Sequence, residues 1–170
     1  MKPALALFLT EALLLFLAAQ ANHSLSGLHV FLFLGGLVVL EGALALPLGA
    51  GLAVSLAAGG LADAAAPLSA FGLQALLFAG AHTVIYSLRE RLPREALAGK
   101  VVVALLVNLG LFLAICTLEL RHSPAKVSAS LRYFSDLVAS QAVLALIAPW
   151  FFALQARSLQ LTGAEPDRAY

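Results

Sequence analysis

Apolar residues fill the chain from residue 4 to residue 156 in about six long stretches, each closed by a short polar break. A helix needs about 20 apolar residues to cross the hydrocarbon core of a bilayer. On that measure the pattern predicts spans near 4–21, 28–46, 48–62, 70–88, 99–118 and 137–156. The breaks carry turn chemistry: Asn22, His23, Ser24, Ser26 and Gly27; then Pro47 and Gly49; then Asp63 to Ser69, with Pro67 inside it. The third span is short and admits three readings: tilted, half-buried, or fused to its neighbour as a broken hairpin. Pro149 lies inside the last span and predicts a kink there. The first segment, Met1-Lys2-Pro3 and then apolar from Ala4, starts as a signal peptide would. Full-length apolar segments follow it, so it reads as a retained first span.

Composition strengthens this picture. Hydrophobic residues make up 62% of the 170-residue chain and charged ones 11%, with a mean hydropathy of +0.97. Too little polar surface is left to cover a water-facing exterior. The expected fold is therefore all-α: a polytopic membrane helix bundle of about six transmembrane helices, in one domain over 1–157, with a short cytoplasmic tail over 158–170. A net charge of +1 leaves no basic footprint for nucleic acid. The single cysteine, Cys116, excludes an internal disulfide and any cysteine-based metal cluster, and it reads as a buried, inert thiol.

Charge sets the expected orientation. Arg89, Arg91, Arg94 and Lys100 cluster between the fourth and fifth spans, and basic residues beside span ends favour the cytoplasm. Six spans then put both termini inside. The inner side holds seven basic residues (Lys2, Arg89, Arg91, Arg94, Lys100, Arg157, Arg168) against three outside (Arg121, Lys126, Arg132). The one long loop, about 119–136, falls outside. Its Val127, Leu131 and Phe134 recur at helical spacing, which suits a surface helix or a partner contact as well as a plain solvated loop.

Helices associate in lipid through close packing of small residues. Gly51, Ser55 and Gly59 recur every four residues in the third span, and Asp63 continues the row; Ala75, Ala79, Thr83 and Ser87 repeat the spacing in the fourth. The two rows predict a tight contact, with Gly72 at its entrance.

Polar residues at depth are the candidate functional groups, because burying them is costly. Counting about 1.5 Å per residue from the nearest inner-side charge, Glu11, His82 and Asn108 stand at about 10–13 Å. They form a candidate polar layer that Glu41 can join. It reads first as a clasp between helices, and second as a proton relay or ligand site. An outer set comprises Asp63, Gln74, Asp136 and Gln141; capping explains the two aspartates, and an outward cavity is the other reading. No Gly-x-Ser-x-Gly, His-Glu-x-x-His or phosphate-loop motif appears, so the chain reads as non-enzymatic, with no metal or cofactor expected.

One stretch carries a resemblance. Gly59-Gly60-Leu61-Ala62-Asp63, then Pro67-Leu68-Ser69-Ala70-Phe71-Gly72-Leu73-Gln74-Ala75-Leu76, then the basic turn Arg89-Glu90-Arg91-Leu92-Pro93-Arg94, resembles the MreD family of rod-shape-determining proteins. The closing segment from Ser140-Gln141 through Ala148-Pro149-Trp150-Phe151-Phe152 to Arg157 is similar too, as are length and span count. Glu11 and Glu41 are not among the residues that carry the resemblance. The resemblance implies a scaffold in the bacterial inner membrane that binds MreC, beside MreB, RodA and a class B penicillin-binding protein, and supports lateral peptidoglycan synthesis and rod shape. It also implies a fold similar to the substrate-binding subunits of energy-coupling-factor vitamin transporters. A transporter subunit of that kind is the rival expectation, and it requires an outward cavity lined by Asp63, Gln74 and Gln141.

Overall fold

A computed structural model describes residues 2–65, 71–92, 96–122 and 126–163. Six α-helices follow in order: α1 (Lys2–Leu25), α2 (Gly35–Ala45), α3 (Leu48–Ala65), α4 (Leu73–Leu88), α5 (Leu97–His122) and α6 (Lys126–Leu161). Four of them, α1, α3, α5 and α6, are long and apolar enough to cross a membrane, while α2 and α4 are shorter apolar helices. The chain is thus all-helical among the described residues and consistent with a helical membrane bundle. Leu7 of α1, Leu46, Val54 of α3 and Leu159 of α6 pack together at one end of the bundle, here the terminal end. The opposite end, where α1 finishes and α5 turns toward α6, is the hairpin end. Pro67, Ser69, Pro93, Arg94 and Arg168 lie outside the described residues.

The second predicted span departs most from expectation. It is not one helix over 28–46. A short 3-10 turn (Ser26–Leu28) ends at His29 in the left-handed region (φ 54°), and residues 30–34 are not helical before α2 begins at Gly35. Non-helical backbone at membrane depth is tolerated only where protein groups satisfy it. Here four side chains do so. Phe31 N–H donates to Asp136 Oδ1 (2.8 Å), and Leu32 N–H to Asn22 Oδ1 (2.7 Å). Phe33 N–H donates to Ser140 Oγ (2.9 Å), and Gly36 N–H to Asn108 Oδ1 (3.0 Å). Carbonyls are served as well: Asn22 Nδ2 donates to Leu32 O and Asn108 Nδ2 to Phe33 O. Asn108→Leu orphans two buried backbone groups at once, so a loss of about 2–3 kcal/mol is expected in detergent unfolding. An unchanged midpoint would show that the cradle does not hold this segment.

With its entry fixed, α2 becomes the axis of the bundle. It touches every other helix, and Leu37, Val38, Val39, Leu40 and Ala43 are fully enclosed. Phe33 adds ring contacts to Phe78 of α4 and Phe112 of α5 at 6.3 and 6.1 Å.

The long loop over 119–136 is also corrected. α5 continues to His122 and α6 starts at Lys126, leaving only 123–125 outside the described residues. Ala, Ser, Leu, Lys and Arg in this stretch are compatible with a helix. Their polarity marks where a helix leaves the apolar layer, not where it stops. α6 passes Pro149 without a break in its helix and runs for 36 residues, past the expected domain boundary at 157. At about 1.5 Å per residue it outreaches the hydrocarbon core.

Candidate functional site

The predicted row on α3 meets α4 along its whole length. At the hairpin end, Asp63 Oδ1 and Oδ2 accept the N–H groups of Gln74 and Ala75, both at 3.2 Å. A carboxylate from one helix thereby caps the first turn of the next, where free N–H groups and the helix dipole favour negative charge. One turn along, a Cβ on Gly59 would stand 2.5 Å from Ala75 Cα. Next, Ser55 Oγ hydrogen-bonds His82 Nδ1 at 3.0 Å, and a Cβ on Gly51 would meet His82 Cε1 at 2.3 Å. On α4 the buried face is Gln74, Phe78, His82 and Ile85 rather than the small-residue row. Ala79 is half-buried, while Thr83 and Ser87 are exposed and bond their own helix through Ala79 O and Val84 O. Gly72 caps α4 at φ 91° with nothing near its missing side chain. Asp63→Ala should lower stability by about 2 kcal/mol, with Asp63→Asn between it and the parent. Equal midpoints for all three would remove the capping role.

The candidate polar layer divides into separate partnerships. Asn108 belongs to the α2 cradle. Glu41, at the terminal end of α2, accepts Lys100 Nζ at 3.0 and 3.2 Å, and the same ammonium stands 5.9 Å from the Phe152 ring. Glu11 and His82 remain near each other without a direct bond. Glu11 Oε1 and His82 Cε1 lie 3.8 and 4.0 Å from where a Cβ on Gly42 would stand, so the hydrogen-only side of Gly42 opens the space between them. Both residues are fully buried. Neither Glu11 oxygen has a hydrogen-bond partner, and nor does His82 Nε2.

Gln155 is the residue that sequence reasoning missed. It is fully buried and both its amide atoms lack partners. It stands one turn from Leu159 as Glu11 stands one turn from Leu7, and those leucines share one cluster, which sets Gln155 at the level of Glu11. A carboxyl, an imidazole nitrogen and a primary amide thus lie at one depth with hydrogen-bonding capacity unspent. Of these, the carboxyl and the imidazole flank Gly42 and are the groups able to take up a proton. From His82, α4 continues through a stacked Tyr86 (6.3 Å) to Arg89, whose guanidinium sits 4.2 Å over the Tyr86 ring. No group of three or more His, Cys, Asp or Glu side chains gathers for a metal among the described residues.

At the hairpin end, α1, residues 31–35, the close of α3 and the start of α4 line a partly open cavity of about 330 Å3. Gln74 reaches it, whereas Asp63 is committed to its cap and Gln141 Nε2 donates to Leu105 O at 3.0 Å.

Compared with known proteins, the chain matches no protein-family model, no curated protein and no solved structure.

Proposed function

We propose that the chain is a non-enzymatic membrane scaffold of the MreD type, a bacterial inner-membrane protein that binds an MreC-like partner and supports lateral wall synthesis and rod shape. The observation that supports this reading most is what the resembling residues do. Gly59, Asp63, Gln74 and Ala75 act as one device: close approach of α3 to α4, and a carboxylate cap on the start of α4. A motif spent on holding two helices at a fixed angle suits a protein whose product is a shaped surface. The four long apolar helices fit a multi-pass arrangement, and the basic residues 89–100 favour a cytoplasmic terminal end with both termini inside. MreB, RodA and a class B penicillin-binding protein then belong to the same complex.

The rival reading, a vitamin-transporter subunit, draws less support. Of the three polar groups it needs in one cavity, only Gln74 lines the cavity at the hairpin end. The test is co-purification in mild detergent with the MreC-like protein of the same cell, with photo-crosslinkers placed along exposed helix positions. Crosslinks confined to one helix face support the scaffold. Absence of a complex, with a vitamin-sized molecule copurifying, replaces it with the transporter reading.

A further inference from the structure

The cavity at the hairpin end has a direction. Its deep wall is Leu15 of α1 and Phe78 of α4; its rim is Asn22 and His23, seven and eight residues further along α1, with Gln74 one turn above Phe78. From Leu15 to Asn22 is about 10 Å along the helix. On the α1 and α4 walls the lining therefore passes from apolar to polar toward the hairpin end of the bundle, while the α3 and residue 31–35 walls stay apolar.

The wall made of non-helical backbone would normally be polar. Here three of its N–H groups are drawn away. Phe31, Leu32 and Phe33 give their N–H groups to Asp136, Asn22 and Ser140, and Asn22 spends both its amide atoms on Leu32. What remains toward the cavity is mostly apolar, and a polar solute would gain fewer hydrogen bonds there. A volume of about 330 Å3 lies at the small end of ligand pockets, which span about 300–1,000 Å3.

We propose that this cavity is a lipid site, taking one acyl chain of a phospholipid from the adjacent leaflet, with the polar part of that lipid beside His23 at the rim. The gradient of the lining along the bundle axis matches the gradient within the lipid itself. The site does not depend on which side of the membrane the hairpin end faces, and it goes beyond the scaffold reading.

The test is photolabelling of the full chain in phosphatidylglycerol vesicles that carry a phospholipid with a diazirine near the end of one chain. Labelled positions are read by peptide mass spectrometry. Leu13, Phe16 and Leu17 are exposed on α1 and report ordinary contact with lipid. The expected result is labelling at Leu15, Ala18 or Phe78 in addition. Ala18→Phe fills the cavity and should reduce that inner labelling about tenfold while leaving Leu13, Phe16 and Leu17 unchanged. Ala19→Phe serves the same purpose if the first variant does not fold. Labelling restricted to the exposed positions would overturn the proposal. So would inner labelling that survives a folded filling variant, or a water-soluble molecule that copurifies and suppresses it.

Discussion

Gly36→Ala should cost about 3–5 kcal/mol, enough to leave little folded protein in detergent. A Cβ at this position would stand 2.3 Å from Ala104 O, 2.7 Å from Asn108 N and 2.8 Å from Asn108 Cβ. Two of these atoms are backbone of α5, so no rotamer change relieves the clash. α2 and α5 must separate, and the separation breaks the Gly36–Asn108 hydrogen bond that fixes the start of α2. Gly59→Ala should behave similarly, because Ala75 Cα and N would lie at 2.5 and 2.8 Å. Gly60, Gly80 and Gly110 are the internal controls. Each lies within a helix with nothing within 4 Å of the added carbon. Alanine there should be neutral or should stabilise by up to about 1 kcal/mol, since only backbone entropy changes. Unfolding midpoints of the five variants in one detergent check the contrast. A Gly36 variant as stable as the Gly60 variant would mean that α2 and α5 are not in backbone contact.

That contrast also shows what was legible in the sequence. The row Gly51, Ser55, Gly59 and Asp63 could be read because spacing by four is a helix property, and each member has a partner on α4. Gly36 could not be read. In a uniformly apolar segment, a glycine pressed against another backbone and a glycine facing lipid look alike. The interruption before α2 was hidden for a related reason: His29-Val30-Phe31-Leu32-Phe33-Leu34 is as apolar as a helix. The groups that make an irregular path tolerable are Asn22, Asn108, Asp136 and Ser140, three of which lie 72 or more residues away along the chain. Depth was legible from residue counts, but direction around the helix was not. By depth alone Glu41 groups with Glu11 and His82, whereas in the fold it meets Lys100. Gln155 carries no such signal: it follows Pro149 and Trp150 and reads as the polar end of a span.

Glu11→Leu should raise stability by about 1–3 kcal/mol, although it removes a buried polar group from the middle of α1. The direction follows from pairing. A buried carboxyl that clasps a neighbouring helix contributes through its hydrogen bonds, and its loss destabilises. Glu11 has no such bond on either oxygen, is fully buried, and lies across Gly42 from an imidazole whose Nε2 is equally unpartnered. It therefore carries a desolvation cost without return, and an apolar side chain of similar size removes that cost. Glu11→Gln should change stability little, since it keeps shape and polarity. Denaturant titration of the three proteins decides the matter, and a fall in stability for the leucine variant would restore the clasp reading. Proteins keep a costly side chain when it acts, and stability gained by deleting such a group is usually lost function. On the scaffold reading proposed above, the companion expectation is that Glu11→Leu, more stable and still able to bind the proposed MreC-like partner, fails to restore rod shape in cells lacking the parent protein. Full rescue would mean that Glu11 and the His82 beside it have no part in that proposed role. Failure with both variants would place the need on the carboxyl group, and failure with leucine alone on polarity at that depth.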